Sequence, residues 1–376
     1  MKKLRVFEAF AGIGAQHSAL KRANLEYEIV GISEWYINAI RAYEAIHCEP
    51  ITERIPDYKD QIKYLKQFTF SNDSINPIKD ITKLSKNEIE NLYLANRNVK
   101  NLGSIIDIKG SDFPTCDLLI YSFPCQDLST GGKTLGMKKG SGTRSCLLWE
   151  IERILKDLKK YNKLPEYLLM ENVKSIYAQS NSEDLEQWLT FLEKIGYCNG
   201  TKLVLNSLNF GIPQDRERAF IISHLNTKID DTYLKTYSKK ANSIFKFLKT
   251  DYTNPILREE ANQAQLNKTI SREQMWSINK RENINDTTTI NTITCNMDRN
   301  NTAAMFRYNG VKGNTYRLLT IREAFLLMGF KEYEYERTLR LGLSYRQMNK
   351  LIGNSIVVNV LEQIFKTLFY KKYGKK

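Results

Sequence analysis

The 376-residue chain is 42% hydrophobic and 26% charged, enough apolar material for one large core or for a large and a small one. Its 56 lysines and arginines against 42 acidic residues give a net charge of +14, which suits a polyanionic partner. No run of about 18 apolar residues offers a membrane span, Glu8 interrupts the apolar start against a signal peptide, and six scattered cysteines without a C-x-x-C pair, beside only three histidines, argue against a zinc site or disulfide framework and for a reducing cytoplasm.

Residues 6–10 read as a first strand. The turn Phe10-Ala11-Gly12-Ile13-Gly14 follows and opens a helix, where glycines let a ligand approach the backbone. A pyrophosphate loop would need a further glycine at the place held by His17, so a nucleoside without phosphate, such as S-adenosylmethionine, fits better. The second strand, residues 28–32, ends at Glu34, placed to accept hydrogen bonds from ribose hydroxyls, with Trp35 beside it to stack on a base or join the core. Residues 50–100 are charged and mostly helical, an insertion against the sheet edge. A third strand near Ile105-Ile106 leads to Asp107, an acceptor for an adenine amino group.

The apolar run Asp117-Leu118-Leu119-Ile120-Tyr121 predicts a buried strand, followed by Phe123-Pro124-Cys125-Gln126. A thiol at a strand's C-terminal edge stands where open α/β sheets hold reactive groups. The Gly- and Lys-rich stretch 131–142 has no apolar face and reads as a mobile loop. An amphipathic helix resumes over 147–160. Another strand, from Tyr167, leads to Met170-Glu171-Asn172-Val173, so a carboxylate joins the thiol at the sheet edge, a pairing suited to covalent attack on an electron-poor ring. In Gln214-Asp215-Arg216-Glu217-Arg218, alternation along a strand puts Gln214, Arg216 and Arg218 on one face toward a polar ligand, or else on a solvated edge with salt bridges to Asp215 and Glu217.

Residues 226–315 are rich in Asn, Thr, Lys and Asp, with short strands at best, and helical patterns return over 321–330 and 345–370. The alternation predicts an α/β fold, a doubly wound, mostly parallel sheet of Rossmann type with a smaller second domain. The expected division is 1–225, 226–315, and 316–376 returning to the large domain, with a frayed basic tail.

These blocks, in this order and spacing, resemble the DNA cytosine-5 methyltransferases, closest to the mollicute-type bacterial enzymes, several of which act on CpG. Residues 8–14 look like the cofactor loop, 123–126 the nucleophile motif, 171–173 the Glu-Asn-Val motif and 214–218 the Gln-x-Arg-x-Arg motif. Arg317-Leu318-Leu319-Thr320 with Glu323, Gly329 and Phe330, then Gly353-Asn354-Ser355, resemble the closing blocks. The resemblance implies a class I methyltransferase in which Phe10, Gly12, Gly14, Glu34, Trp35, Asp107, Ile108, Pro124, Asn354 and Ser355 hold S-adenosylmethionine. It implies that Cys125 attacks C6 of a flipped cytosine, Glu171 serves N3 and Arg218 binds O2, with Arg216 counted among the catalytic residues. It assigns Gln126, Ser129, Arg144, Gln214 and Thr292 to double-stranded DNA, and residues 226–315 to sequence reading, where Arg299 and Asn300 are candidates.

The chain departs from the family pattern at Glu8, usually Asp, at Ala15, often Gly, and at Cys146, where close relatives have Gly. The resemblance implies no metal and no membrane. A monomer is expected, and a cognate restriction endonuclease is a partner that such systems offer. A tRNA cytosine-5 methyltransferase and a catalytically inactive DNA-binding regulator are the alternatives on the same scaffold, and a nicotinamide-dependent oxidoreductase is disfavoured by His17.

Overall fold

A computed structural model describes residues 2–52, 54–124, 137–140, 144–297, 302–311 and 315–375. It divides into two compact units. The first comprises Met1–Leu205, Glu217–Thr236 and Ile364–Lys376, and the second Asn206–Arg216 and Tyr237–Gln363.

In the first unit, β1 (Leu4–Ala9), β2 (Tyr27–Ser33), β3 (Leu118–Tyr121) and β4 (Tyr167–Val173) are joined by β5 (Tyr197–Asn199), β6 (Leu203–Asn206) and β7 (Glu217–Leu225). The order is β2-β1-β3-β4-β7-β5, with β6 also on β7. β1 pairs in parallel with β2 and β3, and β3 with β4, while β7 runs antiparallel to β4 and β5. The expected mostly parallel sheet is thus present. Leu118–Tyr121 is buried at every position, as a central parallel strand covered on both faces must be.

Helices α1 (Ala15–Arg22), α2 (Ile37–His47), α3 (Tyr58–Leu65), α4 (Lys86–Asn98), α5 (Leu148–Lys160) and α6 (Ser182–Ile195) cover this sheet. Phe7, Ala9, Leu119, Tyr121, Leu168 and Met170 share one core with α5 and α6. The insertion builds its own core, in which Ile62, Leu65, Ile89 and Leu92 pack with Ile37, Ile40 and Tyr43 of α2 and Ile32 of β2.

The strand expected near Ile105-Ile106 is a turn instead. Asn101 makes an isolated bridge to Ile32, Gly103 takes a φ of +77°, and the Asp107 N–H closes back on the Ser104 carbonyl. Arg153 of α5 donates to the carbonyls of Ile105, Ile106 and Ile108, satisfying groups that a strand would have paired.

In the second unit, α7 (Thr232–Thr236) having closed the preceding segment of the first, come α8 (Pro255–Gln263), α9 (Ile270–Asn279) and the strands β8 (Lys280–Arg281), β9 (Met305–Arg307) and β10 (Tyr316–Leu318). α10 (Ile321–Leu327), α11 (Glu332–Leu339) and α12 (Tyr345–Gly353) follow, and α13 (Val358–Tyr373) begins in this unit and ends in the first. The sequence boundaries at 225 and 315 therefore differ from the compact units. β10 pairs with β9, and the fully buried Arg317 binds Glu323 through two contacts of 2.8 Å, which ties the segment from 316 onward into the second unit. Only the last part of α13 and the tail return, where Phe369 meets Tyr167 edge-on and the Lys375 N–H reaches the Asn24 carbonyl.

Candidate active site

Those expected residues of the first unit that are described gather at one edge of its sheet. Parallel β1, β2, β3 and β4 all end there, and antiparallel β7 begins there. Register brings Glu171 and Arg218 together. Val173 stands opposite Arg218 and Glu171 opposite Phe220, so Glu171 and Arg218 are diagonal neighbours on one face. Arg218 Nε lies 3.5 Å from Glu171 Oε1, and Glu171 is 5% exposed. The Ser122 hydroxyl, just beyond β3, donates to the other carboxylate oxygen.

The backbone leading to residue 125 is held from two sides. Asn172 Nδ2 donates to the Phe123 carbonyl at 3.1 Å, and Ser145 Oγ to the Pro124 carbonyl at 2.8 Å. Cys125, Gln126 and Ser129 lie outside the described residues, as do 131–136 and 141–143 of the Gly- and Lys-rich stretch, Arg299 and Asn300. Arg144 opens a short 3-10 turn before α5. Where the chain is described again, buried Met137 accepts from Trp149 Nε1 at 2.7 Å, and Lys139 pairs with Glu152 at 2.7 Å while lying over the Trp149 ring. From the sequence alone, Ser122, Asn172 and Ser145 carry no assigned role. Asn172 reads only as the middle of the Glu-Asn-Val motif, Ser122 adjoins Phe-Pro-Cys, and Ser145 has no signal beyond its place beside Arg144.

The ends of β1 and β2 form a second group. Phe10, Gly12 and Gly14 have φ of 57°, 56° and 77°, a left-handed conformation that glycine adopts freely. A Cβ on Gly12 would meet nothing within 4 Å, so open space lies before the loop. Glu34 Oε2 accepts from the Gly12 N–H at 2.9 Å, and Oε1 from the N–H groups of Trp35 and Tyr36 at 2.8 Å. Burial pushes the Glu34 carboxyl up from its ordinary range, against these three donors. The buried Asn101 joins this group to the Asp107 turn, accepting from the N–H groups of Glu34 and Gly103 and donating to the Glu34 carbonyl. Trp35 is half-buried, Asp107 exposed and Ile108 buried.

In the second unit, Gln214 and Arg216 are not presented to a ligand as the alternation suggested. β7 begins only at Glu217, and both residues turn into the protein. Fully buried Gln214 donates to the Leu327 carbonyl at 2.9 Å and accepts from the Ile293 N–H at 3.0 Å. Arg216 donates to the carbonyls of Ile293 at 2.6 Å, Ser355 at 2.7 Å and Gly353 at 3.3 Å. Thr292 Oγ1 donates to the Asp215 carbonyl at 2.7 Å. Gly353 is required for contact, because a Cβ there would lie 2.2 Å from the Cys295 nitrogen. Asn354 is exposed and Ser355 9% exposed at the end of α12. Arg216 thus ties the Thr292-Ile293 segment to the Gly353-Asn354-Ser355 motif, within one unit.

Comparison with known proteins decides the family. Residues 79–370 match the family described as C-5 cytosine-specific DNA methylase. The chain belongs to this family. It is 40% identical to the orphan methyltransferase M.SssI of Spiroplasma monobiae, over 96% of each chain, and 35% identical to the type II methyltransferase M2.ScrFI of Lactococcus lactis subsp. cremoris, over 97% of this chain and 99% of that one. The expected likeness to a mollicute-type enzyme is met. Among solved structures, the Dnmt2 methyltransferase of S. pombe superposes with a TM-score of 0.65 at 20% identity, covering 98% of this chain and 99% of that one, a likeness of fold. As a C-5 cytosine DNA methylase the chain is an enzyme, a DNA cytosine-5 methyltransferase. Among the described residues no helix is long and apolar enough to cross a membrane, and no cluster of three metal-binding side chains occurs.

Proposed function

We propose that this methylase is a sequence-specific enzyme of duplex DNA that takes one cytosine out of the stack and modifies C5 through a covalent adduct to Cys125. The reading rests above all on the Glu171–Arg218 pair, 3.5 Å apart, at the sheet edge where the pinned Phe123-Pro124 backbone leads to Cys125. S-adenosylmethionine is the cofactor of this reading, and when bound it supplies an electrophilic methyl group. The residues present fit it. Open space lies before Gly12, Glu34 retains lone pairs for ribose hydroxyls, Trp35 offers a ring, and exposed Asp107 offers an acceptor for an amino group.

C5 of cytosine is a weak nucleophile hidden in the duplex, and flipping the base costs about a few kcal/mol. Addition of the Cys125 thiolate to C6 makes C5 enamine-like. Charge on the ring is met by Glu171 hydrogen-bonding N3 and Arg218 hydrogen-bonding O2. Ser122 keeps the Glu171 carboxyl in place for that role. Once C5 carries its methyl group, loss of the C5 proton and departure of the Cys125 thiolate restore the aromatic ring. Gln126, Ser129, Arg144 and Thr292, with the net charge of +14, are assigned to the DNA.

The test is to incubate unmethylated plasmid with the protein and S-adenosylmethionine and to map 5-methylcytosine base by base. Marks at one short motif, abolished by Cys125→Ser, are expected. Transfer to tRNA but not to plasmid would overturn the substrate, and full activity of Cys125→Ser would overturn the mechanism.

A further inference from the structure

Beneath the glycine loop lies a polar cluster that the chemistry above does not use. His47, at the end of α2, sets its Nε2 3.0 Å from the Ile13 carbonyl. A carbonyl can only accept, so Nε2 carries the proton. The His47 ring stacks on His17 of α1, centroids 4.3 Å apart and planes 9° apart, and His17 Nδ1 lies 3.0 Å from the Tyr43 hydroxyl. Gly14 rests directly on this layer. A Cβ there would lie 2.4 Å from His47 Nε2 and 2.8 Å from Tyr43 Cε2. From the other side, His17 and Tyr43 line a cleft of about 440 Å³ with Tyr27, Cys48, Lys3 and Lys100.

The loop needs such a support. Three of its five residues take left-handed φ, one of them Phe10, and Gly14 caps α1 without a side-chain hydrogen bond. The internal bond from the Gly14 N–H to the Ala11 carbonyl closes the turn but does not fix where it sits. His47 anchors it from behind at Ile13, and Glu34 anchors it from in front at Gly12. With the Ala11 N–H bond to the Ser33 carbonyl at 3.1 Å, these anchors on three successive residues define both the position and the tilt of the turn, and His47 is the one that acts through Ile13.

We propose that His47, braced by His17 and Tyr43, is a positioning residue for cofactor binding: its Nε2–H holds the Ile13 carbonyl so that the Gly12 backbone and the Glu34 carboxylate keep one geometry toward S-adenosylmethionine. This rests on the cofactor reading given above. Preorganised loops bind more tightly because less ordering is left to do on binding.

The experiment compares wild type with His47→Phe, His47→Asn and His47→Gln. Phenylalanine keeps the stack without a donor, asparagine carries its amide one methylene short, and glutamine places an amide nitrogen where Nε2 stood. S-adenosylhomocysteine affinity by titration calorimetry is read beside the KM and kcat of methyl transfer. Loss of one neutral hydrogen bond predicts about a five-fold rise in Kd and KM for His47→Phe and His47→Asn, with kcat kept and affinity restored in His47→Gln. Unchanged Kd in the Phe and Asn variants would overturn the proposal. Equal weakening in all three would also overturn it, by assigning the effect to the ring. If phenylalanine prevents folding, the Asn–Gln comparison carries the test alone. A wild-type protein that binds no S-adenosylhomocysteine would refute the cofactor reading itself, and is distinguished by being seen before any substitution.

Discussion

Glu8 makes stability depend on pH in a direction opposite to that of most carboxylates. It lies in the interior of β1, between Ile32 and Ile120 on the neighbouring strands, and is fully buried. The Tyr43 hydroxyl is near, yet neither carboxyl oxygen has a well-formed hydrogen bond. Burial pushes the pKa from 4.5 up to about 8, against a smaller pull from Tyr43. Between these values the unfolded chain has released the proton and the folded chain keeps it. Unfolding free energy therefore falls with rising pH by about 1.4 kcal/mol per unit, in all about 5 kcal/mol, and levels off above pH 8. His17 acts in the other sense. Burial first, then the charge of Lys21, lowers it from 6.5 to about 4, so its contribution is present above 6.5 and is lost as pH falls toward 4. Glu8→Gln isolates the carboxyl. The buried amide adds an offset that does not change with pH, while the titration disappears. The assay is urea unfolding of both proteins from pH 5 to pH 8.5 by tryptophan fluorescence, since Trp35, Trp149 and Trp188 all lie in the first unit. The variant should gain on wild type by about 1.4 kcal/mol for each pH unit up to about 8. A difference independent of pH would refute the reasoning.

Three further outcomes are expected. Ser122→Ala removes the hydroxyl that holds Glu171 and should lower the single-turnover methylation rate about ten-fold, the worth of a hydrogen bond to a charged group, while S-adenosylhomocysteine binding is unchanged; an unaltered rate would count against that role. Glu171→Gln should slow the chemical step more than it weakens DNA binding, measured by single turnover against equilibrium binding. In the second unit, Arg317→Met leaves the Glu323 carboxylate buried and unpaired and should cost about 3–5 kcal/mol in urea unfolding, whereas Arg317→Met with Glu323→Leu should cost less than the single change. A double variant no better than the single would mean that the capping bonds of Glu323 to Thr320 and Lys249, not the ion pair, carry the stability.

Much of the site was legible because its signals are local. Leu118–Tyr121 is buried on both faces and so reads as an unbroken apolar run, and the turn after β1 needs left-handed backbone and so reads as glycine. The motifs at strand ends could be ordered from sequence alone, and with them the family. The same local signals misled at Ile105-Ile106, where two β-branched residues look like a strand but the left-handed Gly103, the turn closed by Asp107 on Ser104 and the guanidinium of Arg153, some fifty residues on, decide otherwise.

Polar residues were the harder part. Alternation put Gln214, Arg216 and Arg218 on one face, yet only Arg218 joins Glu171, while Gln214 and Arg216 spend their hydrogen bonds on backbone groups of the second unit. The histidine at position 17 could be read as a missing glycine, but its stacking on His47 beneath the loop could not. Hydrophobic periodicity is written along the chain, so the sequence by itself determined the buried strands that carry the motifs, the glycine turn and the order of the motifs. A buried polar group must find a partner wherever the chain happens to pass, and the sequence does not say which segments will be adjacent. Only the tertiary structure decided which guanidinium meets the carboxylate, which serine holds it, and which side chains carry the loop from behind.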